Sequence, residues 1–356
     1  MPGPGHGPDV IFLFDGNGLH LVLRDPPFRG TLASGLSDNF NYIGFMCGCI
    51  VFFFLWFSFG RIELAILSFV PMAISWLWIL GIMAIFGIQF NIVNVILATF
   101  IFGQGDDYTI FMTEGASYEY TYRKKMLASY KQSIILSALI MFIGIGSLIV
   151  AKHPALHSLA EVTIVGMFSV VLMAYMFPPL IFKYLVSRKG EYRLRPLSIS
   201  NIWSKDREVL PTSKNITDYL PLLKDRYRYK GIDIEKVVKN NLKAYDNYSQ
   251  WADCSGVRNV AVINGGYGEM AILLALMNRD IKVENIEADE EKSTVAKYSG
   301  EFLKNFEARE IGIEELEIAQ DTRYFIIEPT EGQTEQINKI CKNACIGDNN
   351  VVILRR

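Results

Sequence analysis

The stretch Gly103-Gln-Gly-Asp-Asp-Tyr-Thr-Ile-Phe-Met112 places two adjacent carboxylates near the end of an otherwise apolar run that begins at Ile92. A charged side chain near the centre of a bilayer costs roughly 2.5 kcal/mol or more, so these aspartates exclude lipid as their neighbour. Successive helical positions lie about 100° apart. Asp106 and Asp107 therefore point in different directions, and one of them is the inward group. Gln104 lies three positions before Asp107 on the same face, while Gly103 and Gly105 admit a neighbouring helix closely. The apolar spans supply no lysine or arginine to pair with the carboxylates. A site that takes up and releases protons is the reading that follows.

Four further apolar stretches surround this one, and with 92–112 they give five candidate spans at 42–59, 64–86, 92–112, 133–151 and 162–182. Each is long enough for about 30 Å of hydrocarbon. With 51% hydrophobic residues and a mean hydropathy of +0.22, the chain is too apolar for an ordinary soluble pair of domains. Arg123, Lys124, Lys125 and Lys131 follow the third span, and Lys183, Arg188, Lys189, Arg193 and Arg195 follow the fifth. Both clusters fall on one side, which the positive-inside rule makes cytoplasmic. The expected protein is a multi-pass inner-membrane one, with a periplasmic amino terminus and a cytoplasmic carboxy-terminal half. Five spans do not close a bundle by themselves, so a partner bundle is implied. Residues 1–37, with Asp15-Gly-Asn-Gly18 and Asp25-Pro-Pro27, read as turns and short strands left from a larger external domain.

On the fourth span, Ser133, Ser137, Ile140, Gly144, Ser147 and Ala151 recur at helical spacing, a small-residue stripe that predicts close helix packing. The net charge of −2 carries no basic face that would attract nucleic acid. The cysteines Cys47, Cys49, Cys254, Cys341 and Cys345 have no strong zinc spacing and read as packed free thiols, so no metal site is expected.

After the last span the residues 188–230 are polar and punctuated by Pro196, Pro211 and Pro221, the pattern of a linker with short helices. Its basic aromatic stretch Lys224-Asp-Arg-Tyr-Arg-Tyr-Lys230 reads as a solvated face. Residues 231–356 then alternate strand and helix: strand 258–263, turn Asn264-Gly-Gly-Tyr-Gly268, helix 269–277, strand 282–286, helix 290–306, strand 323–327, helix 335–344 and strand 350–354. This rhythm predicts a doubly wound, Rossmann-like α/β domain, incomplete at its end. Glu287 lies about 20 residues beyond the glycines, where an acidic side chain can grip a ribose.

The stretch 103–111 resembles the glycine-rich Asp-Tyr motif of the tenth helix in MMPL-type transporters of the RND superfamily. Ser137-Ala-Leu-Ile-Met-Phe-Ile-Gly144, His153-Pro-Ala-Leu-His157 and Pro178-Pro-Leu180 are similar to that family's last two helices. The resemblance covers about residues 38–184 and implies that the five spans are helices eight to twelve, half of an RND-type fold. It further implies proton-coupled export of lipidic or other hydrophobic molecules, driven by the proton gradient without a cofactor. Asp107 and Tyr108 take the relay roles, with Asp106 and Gln104 beside them. Asp106 departs from the family pattern, which commonly has an aliphatic residue there. The implied partner is a missing amino-terminal half with seven helices and two external domains.

Residues 260–297 resemble the front of Rossmann-like S-adenosylmethionine-dependent methyltransferases. That resemblance assigns Asn264, Gly265, Gly266 and Gly268 to a cofactor turn and Glu287 to the ribose. Val262 stands where that family has an acid, and Asn264 replaces its first glycine. Three readings of the α/β domain therefore follow: a membrane-tethered methyltransferase acting on a lipid-related substrate, an inactive nucleotide-type domain, or a regulatory domain on the transporter.

Overall fold

The computed structural model describes residues 10–15, 18–23, 45–87, 92–204, 209–212, 215–246, 254, 256–316, 319, 321–336 and 351–354. At the amino-terminal end, β1 (Val10–Asp15) and β2 (Gly18–Leu23) pair antiparallel, with Asp15 opposite Gly18. The helices that follow are α1 (Phe45–Phe59), α2 (Ile62–Phe86), α3 (Ile92–Tyr122), α4 (Leu127–Gly146, continued by a 3-10 turn at Ser147–Val150) and α5 (Pro154–Val186). Among the described residues three helical segments are long and apolar enough to cross a membrane: Ile62–Phe86, Leu127–Val150 and Leu159–Val186. Helix α1 is apolar but shorter, and in α3 the side chains before Gly103 lie outside the described residues. The helical region thus shows three to four apolar spans where the sequence predicts five.

Local chemistry sets the helix ends. Gly87 closes α2 in a left-handed conformation (φ 68°) and donates its N–H to the Ala84 carbonyl, the backbone state in which glycine has no Cβ penalty. At the start of α4 the Glu119 carboxylate accepts the Leu127 N–H at 3.3 Å. Helix α5 lies against α2, α3 and α4, while most of α4 is uncovered. Helix α3 runs past the apolar window 92–112 to Tyr122, and those ten extra residues add about 15 Å of rise.

The second half contains α6 (Ile216–Arg226), α7 (Ile232–Asp246), α8 (Glu269–Met277) and α9 (Glu290–Gly300) around five strands, β5 (Asn259–Ile263), β6 (Lys282–Glu287), β7 (Phe306–Glu310), β8 (Thr322–Ile327) and β9 (Val351–Leu354). A short hairpin, β3 (Ser187–Arg188) with β4 (Glu191–Tyr192), joins α5 to this half. The sheet order is β7-β6-β5-β8-β9, and every neighbouring pair is parallel. Burial on both faces explains the nearly unbroken apolar runs of β5 and β8. Val260, Val262, Phe325 and Ile327 join a core with α6 to α9, while Ala261, Ile263, Tyr324 and Ile326 meet Ile313 on the other face.

Two expectations change. The predicted helix 290–306 ends at Gly300, and β7, a strand the sequence pattern hides, follows it. A Cβ on Gly300 would collide with the Phe306 ring, and Asn305 Nδ2 lies 3.0–3.1 Å from the carbonyls of Ala275, Asn278 and Ile281. These tertiary contacts turn the chain where 301–305 alone favour more helix. Within 188–230 the described residues include the short helix α6, whose Tyr219, Leu222 and Leu223 lie in the core although Pro221 lies inside the helix. Lastly, the stretch 224–230 is no solvated face, since Arg226, Tyr227, Arg228, Tyr229 and Lys230 are all buried. The predicted helix 335–344 lies largely outside the described residues.

Candidate functional site

Helix α3 presents two distinct faces around the aspartates. Gly105, Asp106, Tyr108, Thr109 and Met112 are buried, whereas Gly103, Asp107, Phe111 and Glu114 form a continuous exposed arc with Asp107 at its centre. Gln104 is half-buried at the border between them. Asp106 is 7% exposed, and its Oδ1 has no hydrogen-bond partner among the described residues. A buried carboxyl oxygen without a partner is costly, and functional sites are where such costs are retained. The sequence leaves open which aspartate is inward; the structure places Asp106 inside this bundle and Asp107 on the surface that the described residues leave uncovered.

Tyr108, 4% exposed, brings its hydroxyl within 3.3 Å of Ser137 Oγ on α4. A second polar link, Ser68 Oγ to Thr113 Oγ1 at 2.8 Å, ties α2 to α3 inside the bundle. Gly105 admits its neighbours closely: a Cβ there would lie 3.2 Å from Val170 of α5 and 3.6 Å from Met72 of α2. Gly103 has open space beside it. Among the described residues the α4 stripe is not closely packed. Ser137 reaches Tyr108 of α3, while Ser133 donates to the Ser129 carbonyl and Ser147 to the Gly144 carbonyl, Ile140 is exposed and Gly144 has open space beside it. Ile134 and Ala138 are the buried positions of α4, so the packing face is rotated away from the stripe.

In the α/β domain, the turn between β5 and α8 begins with Asn264 in a left-handed conformation (φ 55°), a state asparagine tolerates better than most residues. Gly266 and Gly268 also have positive φ. A Cβ on Gly265 would strike the Asn285 side chain, and one on Gly268 would strike Ala296, so these glycines serve the packing of turn, sheet and helix. Glu287 Oε2 accepts the Gly266 N–H at 2.8 Å. Asn264 Nδ2 donates to Gln333 Oε1 at 3.1 Å and lies 3.4 Å from the Ile327 carbonyl, bridging the crevice between β5 and β8. In open parallel sheets that crevice is the ligand position. Here the groups that would meet S-adenosylmethionine are bonded to one another, and the position of the family's acid is the fully buried Val262.

The turn also lies beside the membrane helices. Tyr267 and Glu291 share a cleft of about 490 Å³ with Ile110, Glu114, Tyr118 and Tyr122 of α3. Around it, the two halves are held by ion pairs: Arg61 with Glu235, Arg228 with Glu63 at 3.3 Å, Arg123 with Glu301 at 2.7 Å and Lys124 with Glu290 at 3.2 Å. Ser117 of α3 donates to the Tyr229 carbonyl at 2.7 Å, and the Tyr229 ring joins a core with Leu64, Leu67, Ala116, Tyr120 and Phe182. Behind this core Lys230 Nζ donates to Ser299 Oγ at 2.7 Å. Burial, and then the guanidinium groups of Arg226 and Arg123, hold the Lys230 ammonium well below the usual lysine range. Sequence reasoning missed this joint. The spacing of Tyr219, Leu222, Leu223 and Tyr227 is its one visible signal, an apolar face at helical period.

Among the described residues no cluster of His, Cys, Asp and Glu could hold a metal ion, and Cys47, Cys49 and Cys254 are free thiols. Cys341 and Cys345 lie outside the described residues. His157 sits in the first turns of α5, 3.4 Å from Glu161.

Neither the curated proteins nor the solved structures provide a match to this sequence. The family model described as "MMPL family" matches residues 32–214. That match takes in all five membrane-region helices, the aspartate-bearing face of α3 and just over half of the 356 residues, and so the chain belongs to the MMPL family of membrane transporters.

Proposed function

We propose that α1 to α5 form one half of a proton-coupled exporter of lipidic or other hydrophobic molecules, and that α3 carries its proton relay. The observation behind this reading is the exposed arc of α3, where Asp107 stands within the apolar window 92–112. A carboxylate at that depth needs a protein or aqueous neighbour, so the arc faces complementary helices that supply the other half of the site. Asp107 passes the proton at that junction. Tyr108 holds the relay against α4 through Ser137, and Gln104 borders it. Protonation removes a charge at the junction and changes how the two halves pack, which is how a proton gradient can drive alternating access. The basic residues at the α/β-domain end make that end cytoplasmic.

The test is translocation of a fluorescent lipid in vesicles containing the complete transporter, with and without an imposed proton gradient. Gradient-dependent translocation is expected in the wild type and its loss in Asp107→Asn, with a smaller decrease in Asp106→Asn. Wild-type translocation in Asp107→Asn would overturn the reading.

The α/β domain serves as a docking domain for the membrane helices and does not use S-adenosylmethionine. Its turn, closed by Glu287 and Asn264, and its ion-paired joint with α2 and α3 favour this over a tethered methyltransferase. Calorimetry on the intact chain is expected to show no heat of S-adenosylmethionine binding. Saturable binding would restore the enzyme reading.

A further inference from the structure

On the side of the bundle facing the α/β domain, α3, α4, α5 and the β3–β4 hairpin enclose a cleft of about 590 Å³. Along α5, which runs toward the α/β domain, the lining passes from Tyr175 through Met176 and Leu180 to Lys183 and the hairpin residue Tyr192. Leu127 and Lys131 line its α4 side, and Met176 and Leu180 are exposed. Lys131 Nζ lies 4.4 Å from the Tyr175 ring centroid, which holds one ammonium at the cleft wall. Glu119 is the acidic residue of the lining, and its carboxylate is engaged by the Leu127 N–H at the start of α4. Two ammonium groups thus flank an apolar floor, which opens sideways through the exposed Met176 and Leu180 onto the surface where acyl chains lie.

We propose that this cleft binds one anionic phospholipid from the leaflet on the α/β-domain side. The two lysines would hold the headgroup phosphate, and an acyl chain would leave the cleft over Met176 and Leu180. Charge complementarity favours an anionic headgroup over a zwitterionic one. The apolar floor selects a membrane lipid over a free phosphate, because the floor is filled only by a chain. Basic pockets between membrane helices at a leaflet surface suit such headgroups. The site is separate from the α3 carboxylates and does not depend on how they function.

The test is native mass spectrometry of the intact detergent-solubilised chain, titrated with phosphatidylglycerol, with phosphatidylcholine of the same acyl chains, and with glycerol 3-phosphate. One phosphatidylglycerol is expected to stay bound in preference to phosphatidylcholine, with no competition from equimolar glycerol 3-phosphate. A lysine near a membrane surface is worth roughly fivefold in affinity, so Lys131→Gln/Lys183→Gln should weaken that binding by about 10-fold or more. Lys131→Arg/Lys183→Arg should retain it. Equal retention of phosphatidylcholine by the wild type overturns the proposal without recourse to any variant. So does undiminished phosphatidylglycerol preference in the double glutamine variant, or displacement of the lipid by glycerol 3-phosphate.

Discussion

Two neighbouring carboxyl groups on α3 have opposite environments, Asp106 packed inside the bundle and Asp107 on the uncovered arc. The adjacency of these two was legible in the sequence, and so was the 100° turn that separates them. Which one the bundle would bury was not, because that depends on where α2 and α5 lie. Lys230 gives a second prediction at this scale. Burial lowers its proton affinity in the folded chain. Between that lowered value and the ordinary lysine value, the unfolded chain binds more protons than the folded one, so stability rises with pH across that window. Replacing a buried charge with an apolar side chain of similar size is often neutral or stabilising. Lys230→Met is therefore expected to leave the chain as stable, or more stable by about 1 kcal/mol, and to flatten the rise. Thermal unfolding of both proteins across the alkaline range measures this, and an unchanged pH slope would contradict the assignment.

At the scale of elements, periodicity located the helices well and their ends less well. The apolar window 92–112 covers the first part of α3, but the helix continues to Tyr122, where Ser117, Tyr120 and Tyr122 pack against the second half. Strand β7 was hidden for a related reason. Its entry depends on Gly300 lying under the Phe306 ring and on Asn305 gathering three carbonyls from residues distant in sequence. Gly300→Ala is expected to cost about 1–3 kcal/mol through overpacking, read as a lower unfolding temperature of the intact chain. Larger residues at Gly105 should act likewise on the bundle, since Val170 lies 3.2 Å from where a Cβ would stand. By contrast Gly144→Ala, with open space beside it, should be nearly silent.

Across the whole molecule, the α/β domain is seated on the ends of α2 and α3, with Tyr229 as the shared core residue and ion pairs around it. The sequence shows each charge but not its partner: Arg61 and Glu235, or Arg123 and Glu301, are too far apart along the chain for any local rule to join them. Glu235 also accepts the Tyr229 N–H at 2.8 Å, so it fastens the joint twice. Glu235→Gln is expected to weaken the seat by about 2 kcal/mol. Hydrogen exchange should then quicken at residues 227–235 by more than tenfold, while the β5 amides keep their protection. Equal acceleration in β5 would mean that the seat and the sheet open as one unit.

Because the seat holds the far end of the helix that carries Asp107, movements of α3 and of the α/β domain are mechanically joined. In the proposed function that helix exchanges protons during export. Lumenal pH in vesicles carrying the complete transporter, followed with a trapped pH-sensitive dye while lipid export is started, tests this most directly. Proton movement in step with export is predicted for the wild type and its absence for Asp107→Asn. Proton movement of wild-type size in Asp107→Asn, or lipid export by the wild type without any, would contradict it.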